Sequence, residues 1–285
     1  DLRYAGCPIT DNEKRYIAND VLVVKEALEI MQAEGHLKLT IGSCCLSEFK
    51  ATLDKQDYQA FFPDLTQFKL NPLEYKYSNA DEYIRHSYRG GWCYLKKGCE
   101  NRIYTEGITA DVNSLYPSMM HSESGNYYPY GQPVFFKGKI PPKCLTDQYY
   151  YFVRIRTRFY LKENKLPFIQ IKGSFFYKAN EMLETSDIVD KDTGNVCTWY
   201  KDIDGNIKKA IVEMVLTQTD FELLQEHYNL VDFELLDGCY FRSITGIFDE
   251  YINKYKEIKQ NSTGARRTLA KLFLNNLYGK LSSSD

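Results

Sequence analysis

The segment GITADVNSLYPSM, Gly107 to Met119, most constrains how this chain can fold, because it changes from strand-like to helix-like residues within a few positions. Residues 108–110 predict the end of a short strand. Asn113 or Ser114 is a suitable N-cap for a helix that begins at Leu115. The segment therefore predicts a sharp strand-to-helix corner.

The corner holds an acidic side chain and an aromatic one in fixed positions. Pro117 falls in the first helical turn, where its missing N–H would lack a partner anyway. Asp111 is expected at the strand edge, with Tyr116 about one turn further on. Such a geometry suits a phosphate bound through a metal ion. The alternative, an N-cap aspartate beside a packed tyrosine, fits most isolated strings of this kind.

A second pattern, TGARRTLAKLFLNNLYGK at residues 263–280, predicts a helix that ends at Gly279. At about 100° per residue, four side chains lie within about 80° of each other on one helix face: Arg267, Lys271, Asn275 and Tyr278. Leu269, Leu272 and Phe273 point the opposite way and can pack. Two cations, an amide and a ring suit a nucleoside triphosphate. The alternative is a solvated basic face that ends in Tyr-Gly.

Together, DVNSLYP at residues 111–117 and KLFLNNLYG at residues 271–279 resemble motifs A and B of the family B DNA polymerases. The resemblance is closest to the protein-primed branch of small bacteriophages, adenoviruses and linear plasmids. Three further segments follow the order of that branch. Tyr16 to Asp20 resembles its third exonuclease motif, Tyr88 to Gly91 its Tyr-x-Gly-Gly motif, and Leu166 to Leu183 the start of its terminal protein region 1.

The resemblance implies a mixed α/β (α+β) fold that forms part of a right-hand polymerase. Residues 1–50 would be the C-terminal end of an exonuclease-like domain. Residues 51–124 would form a linker and part of the palm, with the Tyr-x-Gly-Gly loop and motif A. Residues 125–240 would be a strand-rich insertion like terminal protein region 1, and residues 241–285 a helical hairpin, the fingers, with motif B.

The resemblance also implies a function, template-directed DNA synthesis by two-metal phosphoryl transfer with two Mg²⁺ or Mn²⁺ ions. Asp111, Lys271 and Tyr278 are the expected catalytic residues. Asp111 and the backbone carbonyl of Val112 would hold a metal ion, and Tyr116 would exclude a 2′-hydroxyl. The partners implied are primer-template DNA, deoxynucleoside triphosphates and a terminal protein that acts as primer. The enzyme would act as a monomer in the cytoplasm.

The nucleotide pocket implied by the resemblance has more members than these. Arg267 and Lys271 would contact the triphosphate. Leu115, Asn275, Tyr278 and Gly279 would shape the space around the nascent base pair.

A long N-terminal helix is predicted at residues 12–31, with a buried stripe at Ile17, Val21, Val24, Leu28 and Met31. Tyr16 and Asp20 share one of its faces, so Asp20 could bind a metal ion while Tyr16 orients a water molecule. The alternative is an exposed Tyr/Asp pair. The family's other exonuclease carboxylates have no match here, so proofreading by these residues is not expected.

The overall charge gives no argument for nucleic acid, since the net charge is −2 and the isoelectric point is near 6.2. The distribution is more informative. Residues 137–178 contain ten Lys or Arg against two acids, and Arg154, Arg156 and Arg158 alternate along a predicted strand among tyrosines. We call these three residues the arginine strip. It could follow phosphates and stack bases. The alternative is a half-solvated strand with cross-strand ion pairs.

The loop Tyr88-Arg89-Gly90-Gly91 could let its backbone approach a partner closely or adopt positive φ. The resemblance implies that it binds the template strand. The alternative is a plain β-turn.

The eight cysteines lack metal-ligand spacing, which favours reduced thiols in a cytosol. No apolar run is long enough to cross a bilayer, so no membrane partner is expected. No segment matches motif C, which carries the family's second catalytic aspartate, so we expect these 285 residues not to polymerise DNA by themselves. One alternative is a non-catalytic remnant that binds DNA or a terminal protein; another is an unrelated α/β protein.

Overall fold

The computed structural model describes residues 6–96, 98–171, 176–177, 181–189, 193–202 and 204–283. It mixes helices and strands, which confirms the predicted α+β class. Its contacts separate two units. The first combines Asp1–Gln59, Ala110–Asn126 and Thr245–Asp285, and the second combines Ala60–Thr109 with Tyr127–Ile244. The four-part domain assignment made from the sequence stays a prediction.

The first unit is helical. Its helices are α1 (Asp11–Ala33), α2 (Ile41–Ala51), α3 (Lys55–Phe61, which crosses into the second unit), α5 (Leu115–Met120), α7 (Asp249–Asn261) and α8 (Gly264–Ser282).

Helices α7 and α8 form the predicted helical hairpin around a core shared with α2. The Tyr251 hydroxyl donates to the carbonyl of Phe273 at 2.9 Å, and the Tyr255 ring stacks on the Phe273 ring with centroids 4.7 Å apart. Phe49 of α2 is fully buried, with its ring 5.1 Å from that of Phe248. The buried aromatic rings explain why the hairpin holds a fixed place in this unit.

Helix α1 begins at Asp11, one residue before the predicted start, with Thr10 as its N-cap, and most of its apolar stripe is exposed. Thr10 and Glu13 form a reciprocal capping box at its start. Met31 is buried at 7% exposure, whereas the stripe residues before it are 53–64% exposed: Ile17, Val21, Val24 and Leu28. The predicted buried stripe is therefore wrong for these four. A helix buries an apolar face only where another element covers it, and in the described chain α1 packs mainly on α8.

The second unit is built on a four-stranded antiparallel sheet of β1 (Tyr128–Lys137), β2 (Tyr149–Leu161), β7 (Val212–Thr217) and β8 (Tyr228–Ile244). The strands lie in the order β1-β8-β2-β7. Two short ribbons accompany the sheet, β3 (Ile188–Val189) with β4 (Val196–Cys197), and β5 (Trp199–Lys201) with β6 (Ile207–Lys209).

Two α-helices in the described part of the chain belong to this unit, α4 (Ala80–Arg85) and α6 (Gln218–His227). The side chain of Thr217 caps α6 by accepting from the amide of Asp220 at 3.1 Å. Inward-facing residues of β2 such as Val153 and Ile155 are fully buried and form the main core with β7 and α6. Within the described residues, no helix is both long and apolar enough to span a bilayer.

Candidate functional site

Helix α5 begins at Leu115, which confirms the helix start predicted for motif A. It follows Ser114, whose left-handed backbone (φ 52°, ψ 55°) makes the corner in place of a side-chain cap. The strand predicted at residues 108–110 is wrong, because this segment has irregular backbone. A strand needs a neighbour to satisfy its backbone hydrogen bonds, and none of the described strands pairs with it.

Asp111 therefore lies on an irregular, exposed segment just before the corner. It forms no hydrogen bond or ion pair with any described residue. Val112 is 57% exposed beside it. One free carboxylate and an adjacent backbone carbonyl fit two of the oxygen ligands that Mg²⁺ takes, and the ion's other ligands are commonly waters and substrate phosphates. No cluster of three or more His, Cys, Asp or Glu able to hold a metal occurs among the described residues.

The two tyrosines of the sequence motifs meet directly. The ring of Tyr116 in α5 stacks on that of Tyr278 in α8, with centroids 4.2 Å apart and planes 16° from parallel. Their motifs are separated by about 160 positions in the sequence, so the contact is tertiary. Motif A and motif B thus lie side by side in the first unit.

The polar face of α8 is exposed as predicted. Arg267, Lys271 and Asn275 point to solvent, whereas Leu269 and Phe273 on the opposite side are buried at 6% and 1% exposure. Lys271 makes no hydrogen bond or ion pair with a described residue.

The helix continues through Gly279 to Ser282, so the predicted stop at Gly279 is wrong. Helical bonding through Lys280 carries the chain past it, and its φ is not left-handed. A Cβ at Gly279 would meet no atom within 4 Å, so the missing side chain leaves open space there.

A cavity of about 600 Å³ lies close to the Tyr116–Tyr278 stack. One side of it is formed by α5 and the turn that follows α5, and the other side by the α7–α8 hairpin. Three cations line it: Lys256 and Lys259 from α7, and Arg267 from α8. We call it the motif cavity. Its other lining residues are Asn113, Ser114, Pro117, Ser118, Met119, His121, Glu123, Ser124, Ile252, Gln260 and Leu274. Asp111 and Lys271 are not part of its wall.

Neutral groups hold the cations of the motif cavity. The Lys259 ammonium donates to the Ser114 hydroxyl at 3.0 Å, and the Arg267 guanidinium donates to the carbonyl of Lys259 at 2.6 Å. The acid in the wall, Glu123, is 78% exposed and lies 3.6 Å from the His121 ring. The cations therefore keep their full charge for a bound anion.

His121 is a further polar group in this wall. Its Nδ1 accepts from the amide of Glu123 at 3.2 Å, so the neutral ring carries its proton on Nε2. That nitrogen is buried without a hydrogen-bond partner among the described residues, 3.9 Å from Asp249 Oδ1.

The sequence analysis did not identify Lys256, Lys259 and His121 as residues of this site. It also did not identify Ser114 as the hydrogen-bond partner of Lys259. Lys256 and Lys259 are three positions apart and share a helix face, a signal that was available in the sequence. Only the tertiary arrangement shows that this face meets motif A.

Another lysine of the same helix is paired with an acid. Lys254 bonds to the Glu48 carboxylate of α2, which also accepts from Tyr255 at 3.2 Å. Burial pushes the pKa of Glu48 upward, but the hydrogen bond and charge of Lys254, then the charge of His36, outweigh it. The pKa of Glu48 lies below its usual value as a result.

Tyr16 and Asp20 lie on one face of α1, four residues apart, and both are exposed. Tyr16 is 68% exposed. Nothing else in the described chain gathers carboxylates around Asp20. Their role as an exonuclease motif and the role of Asp20 as a metal ligand stay predictions.

In the second unit, the arginine strip lies on one face of β2 as predicted, and each arginine is paired with an acid. Arg154 is 11% exposed and forms a bidentate bond with Asp237, itself 3% exposed, plus a bond of 3.1 Å to Glu213. These bonds to Asp237 are the first reason that the pKa of Arg154 is raised. The arrangement matches the alternative of cross-strand ion pairs.

The other two arginines differ in exposure. Arg156 bonds to Glu234 at 2.6 Å, with about half of each side chain exposed. Arg158 is 17% exposed and lies 3.5 Å from Asp187 and 3.8 Å from Asp232. DNA binding by the strip stays a prediction, and Arg156 is the member that solvent reaches most easily.

The Tyr88-Arg89-Gly90-Gly91 loop is anchored by its arginine. Arg89 donates to the carbonyls of Val215 at 3.0 Å and Gln170 at 3.4 Å, and burial lowers its pKa. Neither Gly90 nor Gly91 has positive φ, so the prediction that the glycines serve a left-handed backbone is wrong. A Cβ at Gly91 would meet open space. Tyr88 and Arg89 line a cavity of about 520 Å³ with Lys76, Arg85 and His86.

The segment resembling terminal protein region 1, residues 166–183, is described only in part, because residues 172–175 and 178–180 lie outside the described residues. Its ends pair through a bridge between Ile169 and Leu183, both buried.

A model of the family DNA polymerase type B, organellar and viral, matches residues 6–285. The DNA polymerase of Bacillus phage Nf is 38% identical over 284 residues, which cover 99% of this chain and 43% of that protein. The DNA polymerase of Bacillus phage phi29 is 36% identical over the same shares.

Solved structures agree with the sequence matches. Phi29 DNA polymerase complexed with primer-template DNA and incoming nucleotide substrates matches with a TM-score of 0.69 and 36% identity, over 98% of this chain and 42% of that one. Phi29 DNA polymerase complexed with primer-template DNA gives 0.73 and 34%, over 99% and 43%. The chain spans less than half the length of these relatives.

Proposed function

We propose that this chain, which belongs to the organellar and viral type B DNA polymerases, binds the incoming deoxynucleoside triphosphate for template-directed DNA synthesis. The observation that carries the proposal is the stack of Tyr116 on Tyr278, because it joins motif A to motif B beside the cationic motif cavity. A triphosphate carries several negative charges, and the motif cavity brings together cations that have no acidic partner among the described residues.

The phosphates would bind to Lys259 and Arg267, with Lys271 approaching from the exposed face of α8. Arg267 presents a planar fork that suits bidentate phosphate recognition, and a lysine acts as a point charge. Ser114 holds the Lys259 ammonium at 3.0 Å and so positions it before a ligand arrives. Less side-chain entropy is then lost on binding.

The base and sugar would lie against the two tyrosines. At a separation of 4.2 Å, the stacked rings leave no room for a base between them, so one ring moves when the nascent base pair forms. Tyr116 would then lie beneath the sugar, where its ring opposes a 2′-hydroxyl. Leu115, Asn275 and Gly279 would border the pocket, with Gly279 offering open backbone surface.

Asp111 and the carbonyl of Val112 would hold Mg²⁺ or Mn²⁺, two ions in the complete site. Bound metal would lower the pKa of the primer hydroxyl and neutralise charge on the transferring phosphoryl group. Asp111 supplies one carboxylate toward these ions. The second carboxylate expected for two-metal transfer has no counterpart beside it among the described residues, so we propose that these 285 residues do not polymerise DNA unaided.

The remaining assignments are part of the same proposal. Two structures of one relative, phi29 DNA polymerase, are complexes with primer-template DNA. In this chain the DNA strand would contact the Tyr88–Gly91 loop and the arginine strip, through Arg156 first. A terminal protein would act as primer, and the enzyme would work as a monomer in the cytoplasm. Tyr16 and Asp20 would be the third exonuclease motif, without proofreading by these residues.

Titration calorimetry of a deoxynucleoside triphosphate with Mg²⁺ tests the proposal. Lys271→Ala and Lys259→Ala should each weaken binding by about tenfold or more, since each removes a charge-assisted contact. Lys14→Ala is the matched control, because Lys14 is a solvent-exposed lysine of the same unit that pairs with Asp11. Equal binding by the wild type, Lys271→Ala and Lys259→Ala would contradict the proposal. DNA binding without any nucleotide binding would instead favour the alternative that the chain is a non-catalytic remnant.

A further inference from the structure

The second unit contains a cavity that none of the sequence motifs accounts for. It has a volume of about 370 Å³ and lies where β1, β8 and the start of β2 meet. We call it the sheet-end pocket. Its polar wall is formed by Gln132, Lys143, Arg242 and the tyrosines Tyr130, Tyr149 and Tyr240. The volume lies near the lower end of the range of about 300–1,000 Å³ for small-ligand sites, which limits the occupant to a small molecule or one unit of a larger one.

An irregularity in β1 opens this pocket. The ladder between β1 and β8 pairs Tyr130 with Arg242 and then Val134 with Tyr240, so three residues of β1 oppose one of β8. Gly131 makes the deviation possible with φ 81°, a conformation that favours glycine. Such bulges bend a strand and redirect its side chains, and they are common beside binding sites.

The charge of the pocket is one-sided. Lys143 and Arg242 are exposed cations, and neither forms an ion pair with an acid in the described chain. No residue of the pocket wall is acidic. This differs from the arginine strip of the same sheet, where every arginine has a carboxylate partner. Two unneutralised cations in one concave wall attract an anion, and phosphate is the group that arginine recognises through two parallel hydrogen bonds.

The walls beside the cations are aromatic. The Lys143 ammonium lies 4.5 Å from the centre of the Tyr240 ring and 5.3 Å from that of Tyr149. These two rings meet edge to face with centroids 5.6 Å apart. The contacts hold the ammonium at the pocket and give it a wall of ring surface. A base or deoxyribose can pack on such a wall, as bases do on aromatic residues of single-strand binding proteins.

We propose that the sheet-end pocket binds one phosphorylated nucleoside unit, with its phosphate on Lys143 and Arg242 and its base or sugar against Tyr149 and Tyr240. The unit is either a free mononucleotide or one nucleotide of a single strand, which share this chemistry. The site is independent of the motif cavity and does not require the proposed polymerase function.

Equilibrium dialysis with deoxyadenosine monophosphate tests this site on the full chain. The background is the double variant Lys259→Gln/Arg267→Gln, which removes the two proposed phosphate-binding cations of the motif cavity. In this background Lys143→Gln and Arg242→Gln should each weaken binding by about tenfold. Lys139→Gln is the matched control, since Lys139 is an exposed lysine of the same segment outside the pocket.

Two further ligands separate the contributions. Inorganic phosphate should bind more weakly than the mononucleotide, and Tyr149→Leu should remove that difference by weakening only the mononucleotide. A 5′-phosphorylated oligothymidine shows whether the nucleotide belongs to a DNA strand or is free. If the oligonucleotide binds more tightly than the mononucleotide and Lys143→Gln abolishes this binding, the pocket holds one nucleotide of a single strand. If the mononucleotide binds more tightly, the pocket holds a free nucleotide.

Three results would overturn the proposal. The first is unchanged nucleotide binding in both Lys143→Gln and Arg242→Gln. The second is an equal loss in Lys139→Gln, which would indicate a diffuse charge effect. The third is equal affinity for inorganic phosphate and mononucleotide, which would mean that the aromatic wall recognises nothing. Failure of these tests leaves the triphosphate titration on the motif cavity unaffected, so the two proposals fail separately.

Discussion

Two regions of this chain carry cations beside tyrosines, yet their cations have different partners. In the motif cavity, Lys259 donates to a hydroxyl and Arg267 to a backbone carbonyl, both neutral groups. In the arginine strip, Arg154 and Arg158 are enclosed by carboxylates and are less than one-fifth exposed. In the sequence the two regions look alike, because both combine basic residues with tyrosines.

The difference shows that the partner of a cation, more than its presence, decides what it can do. A cation held by neutral groups keeps its charge available to a ligand. A cation that compensates a buried carboxylate stabilises the fold, because the acid would otherwise be buried without compensation. Removing the two kinds of cation should therefore change different measured quantities.

The largest effect is expected for Arg154→Ala. Asp237 is 3% exposed and would lose its bidentate partner. Among the described residues its side chain would keep only the Tyr83 hydroxyl, which donates at 2.9 Å. Loss of one partner of a buried ion pair typically costs about 3–5 kcal/mol of unfolding free energy. Urea unfolding monitored by circular dichroism measures it.

Arg156→Ala is the matched control for that prediction, because it lies on the same face of the same strand with 47% of its side chain exposed. Its loss should cost about 1 kcal/mol or less. Equal costs for the two variants would remove the distinction between paired buried cations and exposed ones.

The second prediction concerns Lys259→Ala, which should affect ligand binding more than stability. The lysine has a neutral partner, so the unfolding free energy should change by only about 0.5 kcal/mol. Triphosphate affinity should fall by about tenfold. A large loss of stability together with unchanged nucleotide affinity would place Lys259 in the structural class with Arg154.

The sequence predicted the two motifs beside the motif cavity because their signals are local. The start of α5 at Leu115 follows from a short polar corner, and the exposed face of α8 follows from helical spacing. The resemblance to polymerase motifs implied that the two segments share a site, and the Tyr116–Tyr278 stack brings them together. Lys259 was missed because its partner Ser114 lies 145 positions away.

The failures came from features that depend on neighbours. The stripe of α1 has helical spacing, but spacing does not provide an element to cover it, and Val21 is 64% exposed. The strand expected before Asp111 needs a paired strand. For the arginine strip, the alternation was correct, but Asp237 and Glu234 come from β8, and their register across from Arg154 and Arg156 is a property of the sheet.

A third prediction concerns the lysine of α7 that is paired with an acid. Lys254 is paired with Glu48, whereas Lys256 and Lys259 line the motif cavity. The pKa of Glu48 is below its usual value of 4.5, so the ionised carboxylate stabilises the folded state above that pH. This contribution, about 1 kcal/mol, should be lost as the pH falls through the lowered pKa.

Urea unfolding at pH 7 and pH 3 measures the effect of Glu48. Glu48→Gln should lower stability at pH 7 and show a smaller loss on acidification than the wild type. The matched variant Glu123→Gln, an acid that is 78% exposed, should leave the pH dependence nearly unchanged. If both variants respond to pH like the wild type, the Lys254–Glu48 pair does not contribute to stability in solution.

The smallest effect is expected for Arg156, and it tests whether exposure alone makes a paired arginine available to DNA. Its bond to Glu234 is solvated on both sides, so exchanging that carboxylate for a phosphate costs little. If the arginine strip contacts a DNA strand, Arg156→Gln should reduce the slope of log DNA affinity against log salt concentration by about one. Glu234→Gln should strengthen binding slightly, because it frees the same guanidinium. Fluorescence anisotropy of a labelled oligonucleotide at several salt concentrations measures both slopes. An unchanged slope in Arg156→Gln would leave the strip with a structural role only, and DNA binding in this unit would then rest with cations that lack a carboxylate partner.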